Sequence, residues 1–317
     1  MTMPILININ EKSCNLQSKF DRLNDITEPL NLVINFNGSG HDDKNELIEE
    51  KLSNLNLINL NLCNIESISI VDNTDNGYNK NLSNGIIDFI PFFLSLCSYN
   101  IKNINIDLDE ISVDIDNNDP YYYQFCNDYD YRIAHFFSKQ KNTCKSLVLS
   151  LNYLFSNSII ELTKYNKLEY LKLNLSAVGC NIGKALQKII RNNDNLHTIS
   201  FNLKSINNDK LDIPLWFLNI CEEINNHLNL KNINIIWKLD LNDIELNHYQ
   251  DNNLIFEKIL KDFYLKQCKY ILLNSDNIEY LNISVNCGIM EVDTLLNNFF
   301  HNINTKNILK RKINRIF

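Results

Sequence analysis

Small and structure-breaking residues are nearly missing from this chain of 317 residues, which holds three alanines, seven glycines and five prolines. That scarcity excludes collagen-like repeats and long flexible Gly/Pro linkers. Glycine-dependent phosphate motifs are missing too: there is no GxSxG, no Walker loop and no GxGxxG. The loop NGSGHDD at 37–43 resembles a phosphate cradle only faintly, and its expected role is a turn in which Asp42 or Asp43 caps a following helix. Nine cysteines are scattered with no CxxC pair, and six histidines show neither HExxH nor an i,i+4 pair, so no metal or cofactor is expected. Residues 72–83 begin somewhat like a calcium loop, but Ser83 stands where the bidentate Glu is required. No apolar run is long enough to cross a bilayer. The longest, Ile86 to Cys97, is interrupted by Asp88 and Pro91 and predicts a buried helix. The start, MTMPILININEKS, shows no secretory signal, and together with the unpaired cysteines this predicts a cytoplasmic protein, or one in a host cytoplasm.

What the chain has in excess is asparagine, 56 residues, with 25 lysines against five arginines. This is the signature of an AT-rich genome. The asparagines alternate with Ile and Leu in regular periods, so they do not form a prion-like tract. A net charge of −8 argues against a general nucleic-acid binder, which needs a basic stripe to neutralise phosphates.

The apolar residues carry a recurring pattern at positions 0, +3, +5 and +7. It occurs at Leu55/Ile58/Leu60/Leu62, Ile101/Ile104/Ile106/Leu108, Cys144/Leu147/Leu149/Leu151 and Leu168/Leu171/Leu173/Leu175. It returns at Leu196/Ile199/Phe201/Leu203, Leu230/Ile233/Ile235/Trp237 and Ile278/Leu281/Ile283/Val285. Leu32/Ile34/Phe36 is a weaker eighth strand and Ile5/Ile7/Ile9 a ninth at the N-terminal edge. Alternation within each segment is a strand signal, and the spacing between segments is that of a structural repeat.

Between strands the period changes to that of amphipathic helices. These are expected at Asp43 to Leu52, after Asp119, at Pro214 to His227, Asn253 to Cys268 and Val292 to Lys310. In the second, Pro120 suits the first helical position. Tyr122, Phe125, Cys126, Tyr129, Ile133, Phe136 and Phe137 share one stripe, leaving Tyr121, Tyr123 and Tyr131 outward. Regular strand–helix alternation requires parallel strands with crossovers on one side. The expected fold is therefore α/β, a parallel βα solenoid of about seven to nine repeats and one domain over 1–317. Residues 1–54 would form the N-terminal cap and first irregular repeats, 55–291 the array, and 292–317 a capping helix with a basic tail.

The segment holding Leu168, Leu171, Leu173, Ile182, Gly183, Ala185, Leu186, Ile190, Asn193 and Leu196 resembles a leucine-rich repeat of the ribonuclease-inhibitor-like subtype. Cys144, Leu147, Leu149, Asn152 and Leu154 fit the same pattern, as do Ile278, Leu281, Ile283 and Asn286. The resemblance spans roughly residues 50 to 300. It implies a leucine-rich-repeat-like horseshoe, with the post-strand Asn replaced by Ser176, Lys204 and Lys238 in other copies.

If the 0, +3, +5 and +7 positions point inward, then +2, +4 and +6 form the exposed sheet face. Its candidate partner-binding residues are Tyr170, Lys172, Asn174, Thr198, Ser200, Asn202, Asn232, Asn234, Tyr280 and Asn282. Leu57, Asn59, Asn61, Asn103, Asn105, Asp107, Ser146, Val148 and Ser150 extend the same columns. Such short polar side chains suit either hydrogen bonds to a protein surface or an amide ladder along the sheet. A second candidate surface is an acidic edge of inserted loops carrying Asp109, Asp114, Asp116, Asp119, Asp240 and Asp243, which suits a basic partner. The function expected is a non-catalytic scaffold binding a protein partner through one of these surfaces. The alternatives are a structural component of a larger assembly, or an effector- or toxin-like enzyme in the loops, for which Cys14 and His41 are the nucleophile and base to consider.

Overall fold

The computed structural model describes residues 4–10, 12–36, 48, 50–57, 60, 62–72, 84–97, 100–108, 120–151, 156–178, 180–205, 213–239 and 277–286. The chain divides into two compact units, Met1–Lys167 and Leu168–Phe317. In the first, β1 (Pro4–Ile9), α1 (Leu16–Asp21), β2 (Leu30–Phe36) and β3 (Ile65–Asp72) are followed by α2 (Asn84–Leu96) and β4 (Asn103–Asp107). Then come α3 (Pro120–Gln140), β5 (Ser146–Leu151) and α4 (Ser156–Leu162). The second unit holds β6 (Tyr170–Val178), α5 (Cys180–Asn192), β7 (Thr198–Ser205), α6 (Ile213–Asn226), β8 (Asn232–Leu239) and β9 (Tyr280–Asn286). Within each unit the strands lie side by side in chain order, and every pair is parallel. This is an open α/β sheet of the parallel βα solenoid kind.

The repeat builds its core by placing like residues at like register. One buried row in the first unit runs Ile7, Ile34, Ile70, Ile106, Leu149, each the Cα partner of the next. A buried row in the second unit runs Leu171, Ile199, Ile233. All of these side chains are 1% exposed or less. Full burial of each is worth about 1.5–3 kcal/mol. The helices supply the opposing apolar stripes. On α5 these are Ile182, Ala185, Leu186, Ile189 and Ile190, all buried at helical spacing. In the first unit Phe36 of β2 meets Phe89 of α2 at 6.3 Å, and Phe20 of α1 meets Phe93 at 5.7 Å, both edge-on.

Buried polar groups tie the ends of these elements together. Asn193, fully buried just past α5, accepts a hydrogen bond from Leu168 N–H at 2.8 Å and donates to Ile189 C=O at 2.7 Å. Gln140, at the end of α3, accepts from Ile101 N–H at 3.0 Å in the same way. His227 Nε2 lies 2.9 Å from Asn193 C=O. Lys139 Nζ donates to the Ser95 and Cys97 carbonyls, satisfying acceptors at the end of α2 that the helix itself leaves open.

Three expectations require correction. Leu55 to Leu57 lie in no strand, and Leu62 forms only an isolated bridge to Cys97. The third strand is instead Ile65–Asp72, beginning three residues after Leu62, and Leu57 is buried rather than outward. The sequence holds two successive frames, since Ile65, Ile68 and Ile70 repeat the same spacing ten residues later. Pairing selects the second, because it sets Ile68 against Leu32 and Ile104. Ser150, expected to be outward, is buried, and its carbonyl accepts from Leu108 N–H at 2.8 Å. Helices α1 and α4 carried no strong sequence signal. Of the helix expected at 43–52, residues 48 and 50–52 are described, and these are helical. The helices expected at 253–268 and 292–310 lie outside the described residues.

Candidate functional site

The candidate site is the outer face of β6, β7, β8 and β9. Alternation turns Leu171, Leu173, Ile199, Phe201, Ile233 and Ile235 inward. The side chains between them are therefore presented on the other face, where Tyr170, Lys172, Asn174, Thr198, Ser200, Asn202, Asn232, Asn234 and Asn282 are half-buried. Tyr280 is 55% exposed. Register draws all ten expected face residues into rows. Tyr170, Thr198, Asn232 and Tyr280 form one, with Lys172, Ser200, Asn234 and Asn282 beside it, and Asn174 with Asn202 in a third.

The amides do ladder. Asn282 Nδ2 donates to Asn234 Oδ1 at 2.7 Å, Asn234 Nδ2 donates to Ser200 Oγ at 3.0 Å, and Asn232 Nδ2 reaches Thr198 Oγ1 at 3.4 Å. The first unit repeats the device, with Asn35 Nδ2 donating to Asn8 Oδ1 at 3.3 Å and Asn105 Nδ2 to Ser69 Oγ at 2.9 Å. In all five the amide of the later strand donates to an oxygen of the earlier one. Each bond is worth about 0.5–1.5 kcal/mol at most, because water competes for the same groups. A primary amide has two donors and two acceptor lone pairs, so the ladder leaves part of each Asn for a ligand.

A second polar column, which the +2, +4, +6 rule passes over, stands at the entrance to the strands. In the second unit it comprises Glu169, His197, Lys231 and Glu279. Backbone bonds link successive members: His197 N–H donates to Glu169 C=O, Lys231 N–H to His197 C=O, and Glu279 N–H to Lys231 C=O, at 2.8–3.0 Å. Lys231 Nζ lies 3.4 Å from Glu279 Oε1. In the first unit Glu66 and Lys102 repeat the arrangement with an ion pair at 2.5 Å. The column carries both signs, so its field is local. Exposed pairs of this kind add little stability, about 0–1 kcal/mol.

On the helical side, Arg191 of α5 forks onto Glu223 of α6 and Gln187 Nε2 adds a bond at 3.3 Å. The Glu223 carboxylate pushes the Arg191 guanidinium pKa up, first through the hydrogen bond and then through its charge. The exposed Arg132 guanidinium lies 5.9 Å from the centre of the Phe92 ring.

The expected acidic edge, Asp109, Asp114, Asp116, Asp119, Asp240 and Asp243, lies outside the described residues, as do His41, Asn59 and Asn61. Cys14 is exposed. Among the described residues no group of three or more His, Cys, Asp or Glu side chains comes together, and no described helix is long and apolar enough to cross a membrane. The chain matches no family model, no curated protein and no solved structure.

Proposed function

We propose that this chain is a non-catalytic scaffold that binds a protein partner on the outer face of β6–β9. One observation carries the reading: a parallel sheet has one face buried under apolar residues and the other half-open among the described residues. All-parallel sheets are ordinarily covered on both faces, so an open one is an available surface. Its composition fits the role. Tyr170 and Tyr280 supply amphipathic contact area of the kind enriched at interfaces, and the laddered Thr, Ser and Asn side chains hold their remaining donors and acceptors in fixed rows. The acidic-edge alternative concerns residues outside the described ones, and the face supports the reading without it.

The test is co-purification from source cells with two variants. Tyr170→Glu with Asn202→Asp and Asn234→Asp charges the centre of the face, and Tyr131→Glu charges α3 at a side chain that is 70% exposed. The expected result is a stoichiometric partner kept by the α3 variant and lost by the face variant. A face variant that keeps its partner overturns the reading.

A further inference from the structure

Strand β1 stands first in the order of the sheet, so among the described strands only one of its two edges is paired. Each residue of a strand sends its N–H and C=O to one side, and successive residues alternate sides. β1 is in register with β2 through Ile9, and within that paired stretch Asn8 C=O accepts instead from Ser13 Oγ–H at 3.0 Å. Ser13 Oγ also accepts from Asn10 N–H at 2.8 Å, and Ser13 N–H donates to Asn10 C=O at 3.0 Å. Asn8 and Asn10, and with them Leu6 and Pro4, therefore face away from β2. Ser13 takes the Asn8 carbonyl and both groups of Asn10, and Pro4 has no N–H. Left on the open edge, without a partner among the described residues, are Leu6 N–H, Leu6 C=O, Asn8 N–H and Pro4 C=O. Sheet edges are ordinarily blunted by charged side chains or bulges. Pro4 to Ile9 carries no charge, and Leu6 at its centre is 53% exposed.

We propose that this edge pairs with the β1 edge of a second copy of the chain, antiparallel and centred on Leu6. A two-fold axis normal to the sheet at that point sets Leu6 against Leu6 of the second copy and Pro4 against its Asn8. Opposed residues of a hydrogen-bonded antiparallel pair exchange both backbone bonds. Leu6 of each copy donates its N–H to Leu6 C=O of the other. Asn8 N–H donates to Pro4 C=O, and the return bond that Pro4 cannot donate is one that Asn8 C=O does not need, because Ser13 fills it. Every open group of the edge is satisfied in this register. A slip of two residues that sets Leu6 against Pro4 strands Leu6 C=O. Side chains agree with the pairing. The same axis keeps both outer faces on one side, where the exposed Leu6 side chains meet, and on the inner face it brings Ile7 of the second copy beside Ile5, which is only half-buried. This match of the edge to itself under a two-fold axis singles out a second copy over an unrelated strand. The pairing involves β1 alone and is independent of the face of β6–β9.

Sedimentation equilibrium of the full chain from about 5 to 200 µM spans the affinities of a small, transient interface. The expected result is a reversible monomer–dimer equilibrium whose dissociation constant changes less than about threefold between 0.05 and 0.5 M NaCl, since the paired strands carry no charge. Leu6→Pro removes the central donor on the side away from β2, where an edge strand tolerates proline, and should weaken the dimer about tenfold or more. Leu6→Lys keeps that N–H but sets like charges opposite one another, and should weaken the dimer by a similar factor that high salt partly restores. Leu228→Lys, at a side chain that is 79% exposed, should leave it unchanged. Amide exchange at Leu6 and Asn8 should slow as concentration rises through the transition, while Ile5, Ile7 and Ile9, which face β2, exchange slowly throughout. A monomer at every concentration, a dimer that both Leu6 variants retain, or exchange at Leu6 and Asn8 that ignores concentration overturns the proposal. So does a dimer dissolved by the Tyr170/Asn202/Asn234 variant and kept by Leu6→Pro, which places the contact on the face of β6–β9. If no dimer forms and Leu6→Pro instead releases a different protein from the chain purified from source cells, the edge serves another partner and the proposal fails.

Discussion

Burial of single polar groups sets the chemistry of this protein at the residue scale. Loss of hydration pushes the thiols of Cys97 and Cys144 from 9.0 up to about 12, opposed weakly by Lys139 for the first and by the Ser146 backbone for the second. The same desolvation raises the Tyr129 and Tyr165 phenols. In the native chain at pH 8, a maleimide should therefore modify the exposed Cys14 and Cys63 and spare Cys97 and Cys144, with all four reacting in denaturant. The linked effect on stability has a definite sign. Above pH 9 the unfolded chain releases these protons and the folded one does not, so stability that is complete below pH 9 is lost as pH rises toward 12. Peptide-resolved mass spectrometry checks the first statement, and urea midpoints at pH 8 to 11 check the second. A midpoint that stays flat over that range contradicts it.

Individual elements are fastened by side chains from their neighbours. Helix α4 is short, and isolated helices of that length do not hold in water. It is fixed by Asp130 of α3, whose buried carboxylate accepts from Asn157 N–H at 2.9 Å, Ser158 N–H at 2.8 Å and Ser158 Oγ–H at 2.5 Å. Asp130→Ala leaves those donors buried without their acceptor and should cost about 1–3 kcal/mol. Hydrogen exchange should accelerate at the amides of 157 and 158 before it does in β5, and unchanged exchange in α4 would show that packing alone holds the helix. Little of this was legible beforehand. Asp130 sits in a run of acidic and aromatic residues where nothing marks it as a cap, because the group it caps lies 27 residues away in sequence. By contrast the stripe of α5 is a local feature of the sequence, since Ile182, Leu186, Ile189 and Ile190 stand at helical spacing within about two turns. Strand β3 shows the intermediate case. Its apolar spacing was visible, but Leu55 to Leu62 offered the same spacing, and only the partners Leu32 and Ile104 distinguish the two frames.

For the whole molecule, chain-order stacking of parallel strands means that each strand contacts its neighbours and few others. Stability in such arrays is close to a sum of repeat and nearest-neighbour contributions. Leu171→Ala, at a fully buried position, should cost about 2–5 kcal/mol. Within the second unit the lost amide protection should be greatest in β6 and β7 and smaller in β9, three strands away. Equal loss across all four strands, by hydrogen exchange at fixed denaturant, would show a single cooperative block instead. The same geometry explains why the face is ordered at all: rows of Asn, Ser and Thr line up because the apolar rows behind them do.

The α/β class, the parallel sense of the strands, the inward positions from Leu171 to Ile235 and the polar character of the face were determined by the sequence alone, because alternation and helical periodicity are local properties of a few consecutive residues. The frame of β3, the bonds of Asp130, the bond between Asn193 and Leu168, and the register that pairs β7 with β8 were decided only by tertiary structure. Each is a relation between residues 25 to 36 positions apart. A period repeats identically in every copy and so cannot say which copy pairs with which, or how far a strand continues once its apolar signal ends. That is settled when backbone hydrogen bonds from one strand to the next fix the register.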